Sequence, residues 1–162
     1  MRSLLAIPLI VLAACGQPQP PSASAPAAPS PAPAIAERPP AIIAERIATL
    51  PAPYNAGVYE NGRRVFAQCR SCHTVHAGGV NRVGPNLHAM FGKRAATMEG
   101  FKTYSAGLKE SGIVWDATTM DKWLANPREV VATNNMIFPG LRNEEDRRDV
   151  IAYLAVETAA SD

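Results

Sequence analysis

The run Cys69-Arg70-Ser71-Cys72-His73 limits this chain more than any other feature. A thioredoxin-like redox pair would need a βαβ setting, and none is apparent around it. A structural zinc site would need two further ligands at paired spacing, and only His76 and His88 remain, in the wrong arrangement. The pattern fits covalent haem attachment. Two thiols on one helical turn reach the two vinyl groups of a porphyrin, and the next residue projects an imidazole at the iron. The third cysteine, Cys15, stands far upstream at the end of an apolar run. An odd count excludes a fully paired disulfide framework within one chain, so the cysteines are two separate features.

The amino terminus reads as an export signal. Met1-Arg2-Ser3 is a short positive start, and Leu4 to Ala14 is apolar apart from Pro8. That run is too short to span a bilayer, which takes roughly 20 residues, but it suits a signal core. Its end, Leu12-Ala13-Ala14-Cys15-Gly16, resembles the bacterial lipoprotein signal, in which the cysteine is lipidated and becomes the mature first residue. The alternatives are ordinary cleavage after Ala23-Ser24-Ala25 or a short uncleaved anchor. All three put the domain outside the cytoplasm, and the lipoprotein reading makes residues 1–14 the signal and Cys15 the anchor.

Eight prolines lie between Pro18 and Pro39, with almost no large apolar side chains. Such a stretch cannot bury a core and reads as an extended linker of about 3.1 Å per residue where polyproline-like. Ile42, Ile43, Ile47 and Leu50 sit at roughly helical spacing. They are taken as an apolar patch within a linker over 15–53 rather than as a docked helix. The remaining domain, 54–162, is small enough to need a staple, a metal or a cofactor. Its charges nearly cancel: sixteen Lys/Arg against fourteen Asp/Glu over the whole chain give +2, which argues against a nucleic-acid binder.

The sequence around and beyond the cysteine pair resembles the class I cytochromes c, the group of mitochondrial cytochrome c and its bacterial relatives. The matching stretches are Gly62-Arg63-Arg64-Val65-Phe66, Val83-Gly84-Pro85-Asn86-Leu87-His88 and Phe91-Gly92, followed by Gly112-Ile113-Val114-Trp115 and Trp123-Leu124-Ala125-Asn126-Pro127. Asn135-Met136-Ile137-Phe138-Pro139-Gly140 and Asp149-Val150-Ile151-Ala152-Tyr153-Leu154 complete the series. They keep the family's order and spacing from about Ala56 to Glu157. The resemblance implies one covalent haem c, thioether-linked to Cys69 and Cys72, with His73 as an axial ligand to the iron.

A second axial ligand is needed to close the iron. Met90 and Met120 lie on apolar stretches that suit a core, and Met98 lies in a polar loop. His76 is too close behind His73 to cross the ring, and His88 suits a surface or hydrogen-bonded role. Met136 precedes Pro139-Gly140 in a segment able to loop over the far face, and the family's axial methionine occupies this position. A His/Met pair raises the reduction potential relative to bis-His, because the thioether favours ferrous iron. The resemblance further makes Pro85 the carbonyl that orients His73, and Tyr104 and Trp115 donors to a haem propionate. Asn134 stands where relatives commonly carry a threonine reaching the same propionate.

An all-α fold is expected, with about three main helices plus short ones around the haem, and the first and last helices crossing. Val58, Gly62, Val65, Phe66 and Cys69 mark one face of a helix from about Ala56 towards Gln68. Thr118 or Asp116 caps a middle helix carrying Met120, Trp123 and Leu124. Asn143 caps the last, whose buried stripe is Val150, Ile151 and Leu154. In the family the glycine matched by Gly62 lets the crossing helices touch, against an aromatic matched by Tyr153. Short helical turns are expected near 86–91 and 103–111.

The family carries electrons, here expected between a quinol-oxidising cytochrome complex and a terminal oxidase or similar acceptor, from a monomer leashed to a membrane on the periplasmic side. The rival is a haem enzyme or gas sensor, or the haem subunit of a dehydrogenase. No distal catalytic His/Arg arrangement supports the first of these. Three departures stand out: an apparent extra residue in Phe101-Lys102-Thr103-Tyr104, Leu108 where some relatives have a pocket asparagine, and Asn134-Asn135 where mitochondrial forms are lysine-rich. From Tyr54 onward thirteen Lys/Arg meet twelve Asp/Glu, so long-range steering is weak, with local patches at Arg70, Arg82, Lys93 and Arg128.

Overall fold

Gly62 lets two helices far apart in sequence touch, and the rest of the domain is arranged around that crossing. The computed structural model describes residues 38–160; the predicted signal, Cys15 and most of the Pro/Ala-rich stretch lie outside the described residues. Helices are α1 (Pro40–Ala48), α2 (Tyr59–Val65), α3 (Ala106–Glu110), α4 (Ala117–Ala125), α5 (Pro127–Val130) and α6 (Glu144–Glu157). Among the described residues there is no named strand, only an isolated antiparallel bridge between Arg94 and Val114. No helix among them is long and apolar enough to cross a membrane.

Local sequence sets each boundary. Asn143 caps α6 by accepting from the amides of Glu145 and Asp146, and three acidic residues fill the first turn, where the helix end is positive. Of the two candidate caps for α4, Asp116 is the one used, in a capping box with Thr119. That helix stops at Asn126, whose side chain caps α5 in turn, with Pro127 at its first position. The expected helix from Ala56 to Gln68 is realised as α2 followed by a 3-10 turn, Phe66–Gln68. Val58 is 52% exposed at its N-cap rather than on the buried face. Residues 86–91 form turns instead of the expected helix, because Ala89 adopts a left-handed φ of 53°.

At the crossing, a Cβ on Gly62 would collide with the Asp149 carbonyl and stand 2.7 Å from the Cβ of Tyr153. Tyr153 stacks obliquely on Tyr59 and Phe66 at 5.3 and 5.2 Å. Val150, Ile151, Leu154 and Phe66 are buried here, joined in the core by Met90, Met120, Trp115, Trp123 and Leu124. Met98, read as part of a polar loop, is half-buried and packs on this core.

The apolar residues before Tyr54 are not a linker patch. Ile42, Ile43 and Ile47 lie on α1, and Ile47 is buried against Ala152 and Val156 on the opposite side of α6, with Ile43 and, just beyond the helix, Leu50 alongside. Arg38 pairs with Glu157 at 3.2 Å, and Tyr59 donates to the same carboxylate at 2.6 Å. The boundary expected at Tyr54 therefore moves to the amino-terminal side of α1: apolar residues on both sides of α6 need cover, and α1 supplies the second side.

Candidate haem site

The cysteine pair follows the 3-10 turn Phe66–Gln68 that succeeds α2. The amides of Cys72 and His73 both donate to the Cys69 carbonyl, at 3.0 and 2.9 Å, so the three side chains share one turn. Both thiols are free and half-buried. Burial, and secondarily the neighbouring Cys72, pushes the Cys69 thiol up to about 11.

The next segment folds back across this turn. Gly84 donates to the Cys72 carbonyl at 2.9 Å and Leu87 to the Thr74 carbonyl at 2.8 Å. Thr74 donates to the Val80 carbonyl, and Asn86 to the carbonyls of His76 and Gly79. Asn81 accepts from the Asn86 amide and ties the loop to Glu99. The result is to place the Pro85 carbonyl 2.8 Å from Nδ1 of His73. Nδ1 therefore carries the proton and Nε2 keeps its lone pair. Burial lowers the His73 pKa, and the Pro85 bond only partly opposes this, so the ring is neutral.

Met136 approaches from the other side of the sequence. Asn134 is buried; its carboxamide oxygen accepts from the Met136 amide at 3.0 Å while its nitrogen donates to Val131 at 2.7 Å. The resemblance aims this side chain at a propionate, but its oxygen and one N–H are spent holding the Met136 loop. Asn135 extends the hold by donating to the Thr103 carbonyl at 3.0 Å. Met136 itself is half-buried against the core, whereas Ile137 is 98% exposed.

Tyr104 packs edge-on to Phe101 at 4.7 Å. Its hydroxyl is buried with nothing to accept its proton, and burial raises its pKa although the Met98 amide opposes this. Trp115 is buried edge-on to Trp123 at 5.4 Å. His88 is half-buried, and its Nδ1 is likewise buried without a partner. Buried donors are normally satisfied, so an unmatched hydroxyl at Tyr104 fits an acceptor such as a propionate. A neutral imidazole with a free Nε2, two free thiols on its turn and a thioether on a braced loop form a donor set suited to haem. The bracing roles of Asn134, Asn81 and Asn86 escape sequence reasoning, since asparagines in loops give no periodic signal.

The Cytochrome c family profile matches residues 59–156. The chain is 40% identical over 106 residues to cytochrome c of Kluyveromyces lactis, covering 65% of this chain and 96% of that protein. It is 40% identical over 117 residues to cytochrome c2 of Rhodomicrobium vannielii, covering 72% and 93%. Cytochrome c 2.1 of Caenorhabditis elegans is 39% identical over 107 residues, covering 65% and 95%. Members of this family carry one covalently attached haem c. With its all-α architecture and a haem-type donor set, the chain belongs to the cytochrome c family, as a class I c-type cytochrome.

Proposed function

We propose that this protein is a one-electron carrier of a respiratory or photosynthetic chain. Cys69 and Cys72 form the thioethers, and His73 and Met136 are the axial ligands. Pro85 orients His73, Tyr104 and Trp115 serve the propionate side, and Asn134 supports the pocket through the Met136 loop. The observation that carries this reading is His73 pinned through Nδ1 to the Pro85 carbonyl at 2.8 Å, which leaves Nε2 free. Haem, when bound, supplies a reversible Fe(III)/Fe(II) couple. The chain would contribute ligands already held in place, His73 by Pro85 and the Met136 backbone by Asn134, so that little need reorganise when the electron arrives or leaves.

The leash is part of the same proposal. Cys15 is lipidated, the domain is a monomer held on the periplasmic side of a membrane, and its partners are a quinol-oxidising cytochrome complex and a terminal oxidase or similar acceptor. Near-balanced charge supports this, because tethering replaces long-range steering with effective concentrations of about mM for short flexible linkers.

The ferric protein should show a weak near-infrared charge-transfer band that disappears in Met136→Ala. Ready CO binding by the ferrous wild type at neutral pH would instead favour an open-site enzyme or sensor. Cys15→Ser should release the protein from membranes and slow electron transfer to membrane partners; unchanged rates and salt dependence would remove the tether from the mechanism.

A further inference from the structure

The loop that carries Met136 is held by hydrogen bonds at its two ends, with Met136 and Phe138 half-buried against the core between them. In front stand the bonds of Asn134 and Asn135. Ile137 then projects into solvent at 98% exposure, so burial of this side chain contributes nothing to the loop's position. Behind it, Gly140 takes φ +92°, where a Cβ would collide with the Ala125 carbonyl, and the Leu141 amide donates to the Leu124 carbonyl at 2.7 Å.

One side chain gathers this rear end. Arg147 on α6 donates through Nη1 to the carbonyls of Leu141 at 2.9 Å and Arg142 at 3.1 Å, while its Nε donates to Asp121 on α4 at 2.7 Å. Arg147 is only 11% exposed and Asp121 29%. The guanidinium thus ties the loop to both helices at once. Its fork of donors suits this, since an ammonium would meet the carbonyls and the carboxylate only as a point charge. Tyr54, in the core, feels both charges: burial raises its pKa first, Asp121 raises it further and Arg147 lowers it.

We propose that the Asp121–Arg147 pair is a positioning device for Met136, holding the rear of its loop so that competing ligands displace the thioether only with difficulty. It rests on Met136 being the axial ligand. Arg147 touches no reacting atom; it acts through the carbonyls of Leu141 and Arg142.

The test uses ferric holoprotein titrated with imidazole, following the near-infrared methionine band. Arg147→Ala should bind imidazole roughly tenfold more tightly, the scale of losing charge-assisted hydrogen bonds. Arg147→Lys should fall between it and wild type, and Asp121→Asn should shift in the same direction. Ile47→Ala, destabilised far from the loop in sequence and on α1, should lower the denaturation midpoint and leave imidazole affinity unchanged. If Arg147→Ala does not accumulate, the Lys and Asn variants carry the same reading. Wild-type imidazole affinity in these variants overturns the positioning role while leaving ligation intact. A band that is absent in wild type, or that survives Met136→Ala, overturns the ligation itself.

Discussion

Gly84 lies flat against the imidazole of His73: a Cβ there would stand 2.7 Å from Nε2 and 2.8 Å from Nδ1, and closer still to the carbon between them. The Gly84 amide is meanwhile tied to the Cys72 carbonyl, so the backbone cannot retreat without opening the cysteine turn. Orientation of the His73 ring thus depends on a missing side chain as much as on the Pro85 carbonyl beside it.

Gly84→Ala therefore forces the ring to rotate or the loop to lift, and either breaks the Nδ1 bond to Pro85. A loss of about 1–3 kcal/mol in holoprotein stability is expected, the usual range for overpacking. A smaller fraction of chains carrying covalent haem and a shifted reduction potential should accompany it. Redox titration beside a denaturation curve checks both, and wild-type values in each would show that the loop yields freely.

Gly62→Ala sets two effects against each other. Helix propensity alone favours alanine by about 1 kcal/mol. The collision with the Asp149 carbonyl and the 2.7 Å approach to Tyr153 require α2 and α6 to separate. Since Tyr153, Phe66 and Ile151 are all buried at that contact, separation costs far more than propensity returns. The net expectation is a destabilisation of about 3 kcal/mol or more, read from guanidinium unfolding of the holoprotein.

Legibility in the sequence tracks locality. The cysteine turn, the caps Asn143 and Asp116, and Pro85 beside His73 depend on residues close in sequence, so spacing, residue type and family resemblance reach them. The docking of α1 depends on a distant partner. Ile42, Ile43, Ile47 and Leu50 are visible as a stripe, but the face that Ile43, Ile47 and Leu50 cover is made of Ala152 and Val156, small residues adjoining the α6 stripe already assigned to the core. Nothing in the stripe itself says that a second surface is waiting for it. Asn134 is buried, and its bonds run to Val131 and Met136, along a loop path that composition does not specify.

Acid sensitivity should centre on Asp149. Burial pushes its pKa up, but bonds from Asn61 at 2.6 Å, the Val58 amide at 3.0 Å and Arg148 at 2.9 Å outweigh this and leave it below 3.8. A carboxyl with a depressed native pKa contributes stability above its unfolded value, about 3.9, and loses it as pH falls through the native pKa. The stability difference between wild type and Asp149→Asn should thus be full at pH 5–7 and shrink below about pH 4. Asp116, held low first by the Thr119 amide, acts with the same sign but is present in both proteins and cancels. A difference that does not change with pH would mean that Asp149 acts through packing alone.

The docked helix α1 should add measurable stability to the domain. Ile47 is 8% exposed and fills the space over Ala152 and Val156, while the Arg38–Glu157 pair fixes the start of the helix against the end of α6. Glu157 is only 3% exposed, so removing both partners would leave a buried carboxylate unmatched. Ile47→Ala should cost about 2 kcal/mol, the low end for such truncations because the site lies at the domain's edge. Arg38→Ala should cost less, since Arg38 is partly exposed and Tyr59 still holds the carboxylate. A chain beginning at Tyr54 would lose both contributions and bare Ala152 and Val156 together. Its denaturation midpoint should fall by more than that of either point variant. A midpoint equal to that of the full chain would mean that α1 adds nothing to the fold, and that the domain begins at Tyr54 after all.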